Sequence, residues 1–219
     1  MTKKLIIFDL DGTLLDTIED LANAINHALR QFNFPEHETE KFRFFVGNGV
    51  NKLVERVLPE GHQNEDAISM VKHEFFKYYM FHADDYTKPY RGVPELLMKL
   101  QQAGHKLAVA SNKPHQATVD LVKRFFPEIN FVRVFGQRDG IPVKPAPDII
   151  NEIVADAGMQ KSDTIFVGDS GVDALTAGNA EVEFIAVLWG FRTQAELADH
   201  GAMRFVSEAR EIGDYLLTY

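Results

Sequence analysis

From Pro89 onward the sequence repeats one arrangement, a short apolar run followed by a stretch with helical spacing. Lys106–Ala110, Phe131–Phe135, Thr164–Val167, Glu183–Leu188 and Arg204–Val206 read as strands, and Val93–Ala103 and Pro147–Ala157 as helices. Gly104 and Gly158 stand where a helix-ending glycine belongs, and Pro114 where a first helical turn accepts proline. Strands joined through helices run parallel, because a right-handed crossover returns each strand in the same direction. Leu5-Ile6-Ile7-Phe8 is apolar at every position, the pattern of a strand buried on both faces. The expected fold is α/β, a Rossmann-like parallel sheet flanked by helices.

Between the first strand and about residue 84 no strand pattern appears. Leu21, Ala24, Ile25, Ala28 and Leu29 recur at helical spacing until Asn33-Phe34-Pro35 breaks the run. Helices are predicted over Lys52–Leu58 and Ala67–Phe81, after the glycine-bearing loop Phe45–Val50. Residues 16–86 therefore read as an inserted all-helical domain, leaving 1–15 and 87–219 as the α/β core. An insert leaving directly after the first strand would cover the strand ends like a lid. The aromatic residues Phe75, Phe76, Tyr78, Tyr79 and Phe81 read as its core rather than as a ligand platform.

Composition narrows the function. A chain of 219 residues, 45% hydrophobic, suits one domain with an insert. A net charge of −9 argues against nucleic acid or an anionic membrane as partner. It leaves room for an anionic substrate where a metal and a few lysines make the site locally positive. With no cysteine, disulfides, thiolate catalysis and Cys-based zinc sites are excluded. The apolar run at the N-terminus is too short for a signal peptide, and no apolar stretch approaches a membrane span. A cytoplasmic protein, monomer or homodimer, is expected.

The first strand runs into Asp9-Leu10-Asp11-Gly12-Thr13. Two carboxylates thus arrive at the C-terminal end of a strand, where open α/β sheets bind ligands. Packing them there is costly unless a cation or a reaction requires it. An EF-hand loop does not fit, since it needs glycine sixth and glutamate twelfth, whereas here glycine is fourth and Asp20 twelfth. Three further polar sites follow in order: Ser111-Asn112 after a strand, Lys144-Pro145 before a helix, and Gly168-Asp169-Ser170-Gly171-Val172-Asp173 after another strand. Each alone is ordinary helix capping; the ordered set is not.

This ordered set resembles the haloacid dehalogenase superfamily of phosphohydrolases across nearly the whole chain. The resemblance implies that Asp9 is the nucleophile and Asp11 the general acid and then base. It makes Ser111 the hydroxyl of the second motif, Lys144 the lysine of the third, and Asp169 and Asp173 the acids of the fourth. The helical insert matches the family's small cap. The chemistry is coherent. A carboxylate nucleophile splits hydrolysis into formation and breakdown of an aspartyl-phosphate. Asp11 protonates the leaving oxygen and then deprotonates water. Mg²⁺ suits the oxygen ligands of Asp9, Asp169 and the Asp11 carbonyl. Lys144 brings positive charge to the nucleophile and the phosphoryl oxygens. Ser111 and nearby helix-start N–H groups would hold the phosphate. Asp173 would orient Lys144 or water.

The acid at Asp11 disfavours dehalogenation, because a halide needs no proton. A phosphomutase of the β-phosphoglucomutase type shares the motifs and the cap. A pyrophosphatase or sugar-phosphate phosphatase of the same superfamily is another alternative. A non-catalytic phosphate-binding protein should have lost a core residue, yet Asp9, Asp11, Lys144 and Asp169 are all present. Arg43-Phe44-Phe45-Val46-Gly47-Asn48-Gly49 is similar to the cap segment of phosphoglycolate phosphatases, and Ser111-Asn112-Lys113-Pro114 to that subgroup's second motif. Trp189-Gly190-Phe191-Arg192 also occurs in this branch. Thr13, Ser111, Asn112, Lys144, Arg43, Gly47 and Asn48 are the expected phosphate- or substrate-binding residues. Gly47-Asn48-Gly49 also reads as a plain turn between helices, and Arg43 as a solvated surface arginine. The expected partner is a small phosphorylated metabolite, with phosphoglycolate the leading candidate.

Overall fold

A computed structural model describes residues 4–217 of the chain. Six parallel strands form the central sheet: β1 (Leu5–Phe8), β4 (Lys106–Pro114), β5 (Phe131–Gln137), β6 (Thr164–Gly168), β7 (Glu183–Val187) and β8 (Phe205–Val206). Their order is β5-β4-β1-β6-β7-β8. β1 pairs with β4 on one side, Ile6 opposite Leu107, and with β6 on the other, Ile6 opposite Ile165. The strand order therefore reverses at β1, the position where open α/β sheets form their ligand crevice.

The continuous apolar run of β1 has the expected reason. Ile6 and Phe8 enter one apolar cluster with residues of α5 (Val93–Gln102), α6 (His115–Phe125) and α10 (Ala209–Leu217). Leu5 and Ile7 enter another with residues of α7 (Asp148–Ala157) and α8 (Gly171–Ala180). The short helix α9 (Gln194–Asp199) completes the layer beside β7.

The remaining helices lie in sequence between β1 and the other five strands of that sheet. They are α1 (Ile18–Gln31), α2 (Phe42–Phe45), α3 (Val50–Val57) and α4 (Glu65–His82). Ile25, Leu29, Phe42, Val54, Val71 and Phe75 build an apolar cluster of their own, joined by Phe191 from the sheet side. Among the described residues no helix is long and apolar enough to cross a membrane.

Two features depart from the sequence expectation. A two-stranded antiparallel ladder, β2 (Leu15–Asp16) with β3 (Lys88–Pro89), joins the chain segments entering and leaving the helical block. Two-residue strands show no period in a sequence. β4 also continues past Ala110 through Ser111, Asn112 and Lys113 to Pro114. The polar residues there hide the strand, yet all three are buried because each finds partners.

Candidate active site

The C-terminal ends of β1, β4 and β6 converge on a cleft of about 650 Å³, open solvent at its mouth included. Asp9, Asp11, Ser111, Lys113, Lys144, Asp169 and Asp173 line its floor, and Leu21, Val46, Gly47, Gly49, Val50, Leu53, Phe75 and Tyr79 of the helical block line its roof.

Lys144 is the hub of the floor. Its buried ammonium donates to Asp9 Oδ1 at 2.8 Å, Asp173 Oδ1 at 2.6 Å and the Ala110 carbonyl at 3.0 Å. Burial alone would lower its pKa, but Asp173 and Asp9 hold it above the ordinary lysine value. Asp173 is fixed in turn by a capping box at the start of α8, its carboxylate accepting from the Ser170 N–H and hydroxyl.

Asp9, Asp169 and Asp173 offer oxygens within 4.8 Å of one another. Burial pushes Asp9 up to about 7, with Lys144 opposing and the Asp173 charge adding to the rise. Burial and the Asp173 and Asp9 charges raise Asp169 well above the carboxylate range, against the Phe191 N–H bond. Such a cluster is stable in its ionised form only beside added positive charge. The lining as a whole carries four carboxylates, Asp9, Asp11, Asp169 and Asp173, against three cations, Lys113, Lys144 and Arg192. An all-oxygen donor set with a charge deficit fits a hard divalent cation.

Asp169 is held by a close approach of backbone. Thr13 Oγ1 donates to its Oδ1 at 3.2 Å and the Phe191 N–H to its Oδ2 at 2.7 Å. Gly12 lies against it with φ +87°, and a Cβ there would sit 2.3 Å from Asp169 Oδ2. A Cβ at Gly190 would meet Asp169 Cβ at 2.3 Å and the Gly12 carbonyl at 2.4 Å.

Asp11 lies apart from the three-acid cluster. Its Oδ1 accepts from Thr17 Oγ1 at 2.8 Å and from Lys113 Nζ at 3.0 Å. Lys113 is buried, and its ammonium lies 4.8 Å from the centre of the Tyr79 ring on α4. Desolvation would lower the Lys113 pKa; Asp11 and Tyr79 raise it instead. Burial pushes the Tyr79 phenol up to about 12.

The other expected binding residues divide. Ser111 and Gly47 line the cleft. Asn112 lines it too, but its amide is engaged by main chain: Nδ2 donates to the Gly47 and Lys144 carbonyls at 3.0 Å each, and Oδ1 accepts from the Lys144 N–H at 2.8 Å. Thr13, Arg43 and Asn48 do not line it. Arg43 pairs with Glu40 at 3.0 Å and donates to the Gly190 carbonyl at 3.2 Å. Asn48 Oδ1 accepts from Arg56 at 2.8 Å. The sequence reading gives Tyr79 only a place in the core of the insert, Lys113 and Arg192 only membership of their motifs, and Thr17 no role. Lys113 had one available signal: extending β4 by its period of two puts it on the face of Ser111.

A sequence model of the family described as haloacid dehalogenase-like hydrolase matches residues 6–187. The chain belongs to that family. Among relatives of this hydrolase, a phosphoglycolate phosphatase of Psychrobacter arcticus is 30% identical over 224 residues, spanning 99% of this chain and 97% of its own. One of Vibrio vulnificus is 32% identical over 218 residues, with 97% and 92% covered. A crystal structure of a candidate phosphoglycolate phosphatase from Lactobacillus delbrueckii superposes with a TM-score of 0.93 at 35% identity, covering 99% of each chain. The parallel sheet and its flanking helices are thus a haloacid dehalogenase-like fold.

Proposed function

We propose that this hydrolase is a phosphatase that cleaves a small phosphorylated metabolite through an aspartyl-phosphate on Asp9, with phosphoglycolate as substrate. Residues 1–15 and 87–219 act as the catalytic core and 16–86 as its cap. The observation that carries this reading is the convergence, under a helical roof, of Asp9 and Asp11 after β1, Asp169 after β6 and Lys144 from the loop before α7. The full-length relatives named for phosphoglycolate support the substrate.

Asp9 attacks phosphorus, and the bond to the leaving oxygen breaks as Asp11 protonates that oxygen. Water then attacks the phosphoryl group while Asp11 takes its proton, and the bond to Asp9 breaks to release orthophosphate. Lys144 keeps Asp9 oriented and offsets negative charge on the phosphoryl oxygens. Asp9, Asp169 and the Asp11 carbonyl would hold Mg²⁺, with Asp173 behind Lys144. Bound Mg²⁺ supplies the positive charge that ionises these acids and draws in the phosphate.

A phosphate-release screen over phosphoglycolate, sugar phosphates, nucleotides and pyrophosphate tests this. Sustained release from phosphoglycolate, abolished by excess chelator, is expected. Failure on every monoester would overturn the phosphatase, and turnover surviving the chelator would remove Mg²⁺.

A further inference from the structure

The loop after β7 delivers a third cation to the cleft, and the reaction above does not use it. Trp189 Nε1–H donates to the Thr13 carbonyl at 3.0 Å, and the Phe191 N–H donates to Asp169. These bonds tie the loop to the ends of β1 and β6. Arg192 follows, lining the cleft with its side chain only 9% exposed. Its Nε faces Glu196 Oε1 at 3.0 Å, and its Nη2 donates to the Val46 carbonyl at 2.8 Å. Its Nη1 is buried and has no hydrogen-bond partner. A buried guanidinium nitrogen without an acceptor is unfavourable, and an anion is the acceptor that relieves it.

The other two lining cations are engaged, Lys144 by Asp9 and Asp173, and Lys113 by Asp11. Of the three, Arg192 is the one with a buried nitrogen that has no acceptor. Its bond to Val46 fixes where that donor sits, between the catalytic floor and the roof. A phosphoryl group facing Asp9 directs the rest of its ester toward that roof. Tyr79 lines the same space.

We propose that Arg192 is a specificity-determining residue that receives a carboxylate on the leaving-group end of the substrate. The preferred substrates are then short phosphate monoesters with a carboxylate tail. Arg43, bonded to Glu40 and Gly190 outside the cleft, does not have this role. The proposal rests on the phosphatase reading for which end of the ligand faces Asp9.

Its test uses binding rather than turnover. Asp9→Asn protein in Mg²⁺ is titrated with 2-phosphoglycolate and with ethyl phosphate, which differ in the carboxylate. A preference of at least about tenfold for phosphoglycolate is expected from a charge-assisted contact. In Asp9→Asn/Arg192→Gln the preference should fall to about twofold or less while ethyl phosphate binds as before, and Arg192→Lys should restore part of it. Equal affinities in the parent, no binding of either ligand, a preference that survives Arg192→Gln, or equal weakening of both ligands would each overturn the proposal. Tighter binding of pyrophosphate than of phosphoglycolate would overturn the carboxylate in favour of a second phosphate. Turnover by the wild-type protein is read separately. A preference that depends on Arg192, without turnover, would sink the phosphatase alone, and turnover without a preference would sink the role of Arg192 alone.

Discussion

Asp9 carries an unfavourable charge, a buried carboxylate beside two others, and as the proposed nucleophile it has to be ionised to attack. Asp9→Asn keeps the shape and the Lys144 contact but removes the attacking oxygen. Phosphate release should fall by at least about a thousandfold with an unchanged circular-dichroism spectrum; near-normal release would exclude Asp9 as nucleophile. Asn112 makes a different point. Its amide ties Gly47 in the roof to both main-chain groups of Lys144. Asn112→Ala leaves buried groups unpaired, so a loss of about 1–3 kcal/mol in urea unfolding is expected, together with slower turnover. Asp9, Asp11, Lys144 and Asp169 were legible in the sequence because each follows a strand or precedes a helix in a fixed order. Arg192 and Lys113 were not, because their significance lies in which of their atoms find partners, and those partners are 102 to 146 residues away.

At the scale of elements, the strand-and-helix alternation was readable because every strand of the sheet core is a short apolar run with a helix behind it. What escaped was structure whose stabilising contacts are polar or very short. The extension of β4 is held by side-chain partners, and the β2–β3 ladder is only two residues long on each side. Asp20, in the first turn of α1, belongs to the same class. Its buried carboxylate accepts from the Thr87 N–H at 2.8 Å, the Thr87 hydroxyl at 2.7 Å and the Tyr86 N–H at 3.1 Å. Asp20→Ala should cost about 1–3 kcal/mol by orphaning these donors, read by chemical denaturation. The loop after β7 depends on the absence of a side chain. Gly190→Ala would push Cβ into Asp169 and the Gly12 carbonyl, so a drop of about 3 kcal/mol and weaker Mg²⁺ binding are expected; isothermal titration with Mg²⁺ gives the second number.

For the whole molecule, the raised acids couple stability to pH. Asp9, pushed up to about 7 from an ordinary 3.8, and Asp169, also raised, keep protons in the folded chain that the unfolded chain has released. Stability of the metal-free protein should therefore fall as pH rises from about 4 to about 7. If Mg²⁺ is held by the ionised acids as proposed, it should raise Tm more at pH 8 than at pH 5; a gain independent of pH would separate the cation from these groups. The β2–β3 ladder acts at the same scale. The helical block leaves and rejoins the sheet through two segments laid side by side, Leu15 against Pro89 and Asp16 against Lys88, with Asp20 clamping the return. Two separate tethers would let the block drift and twist. Two tied together act as one strap: sliding or twisting of the block against the sheet would have to break the ladder. The same roof residues are thereby kept over the same floor.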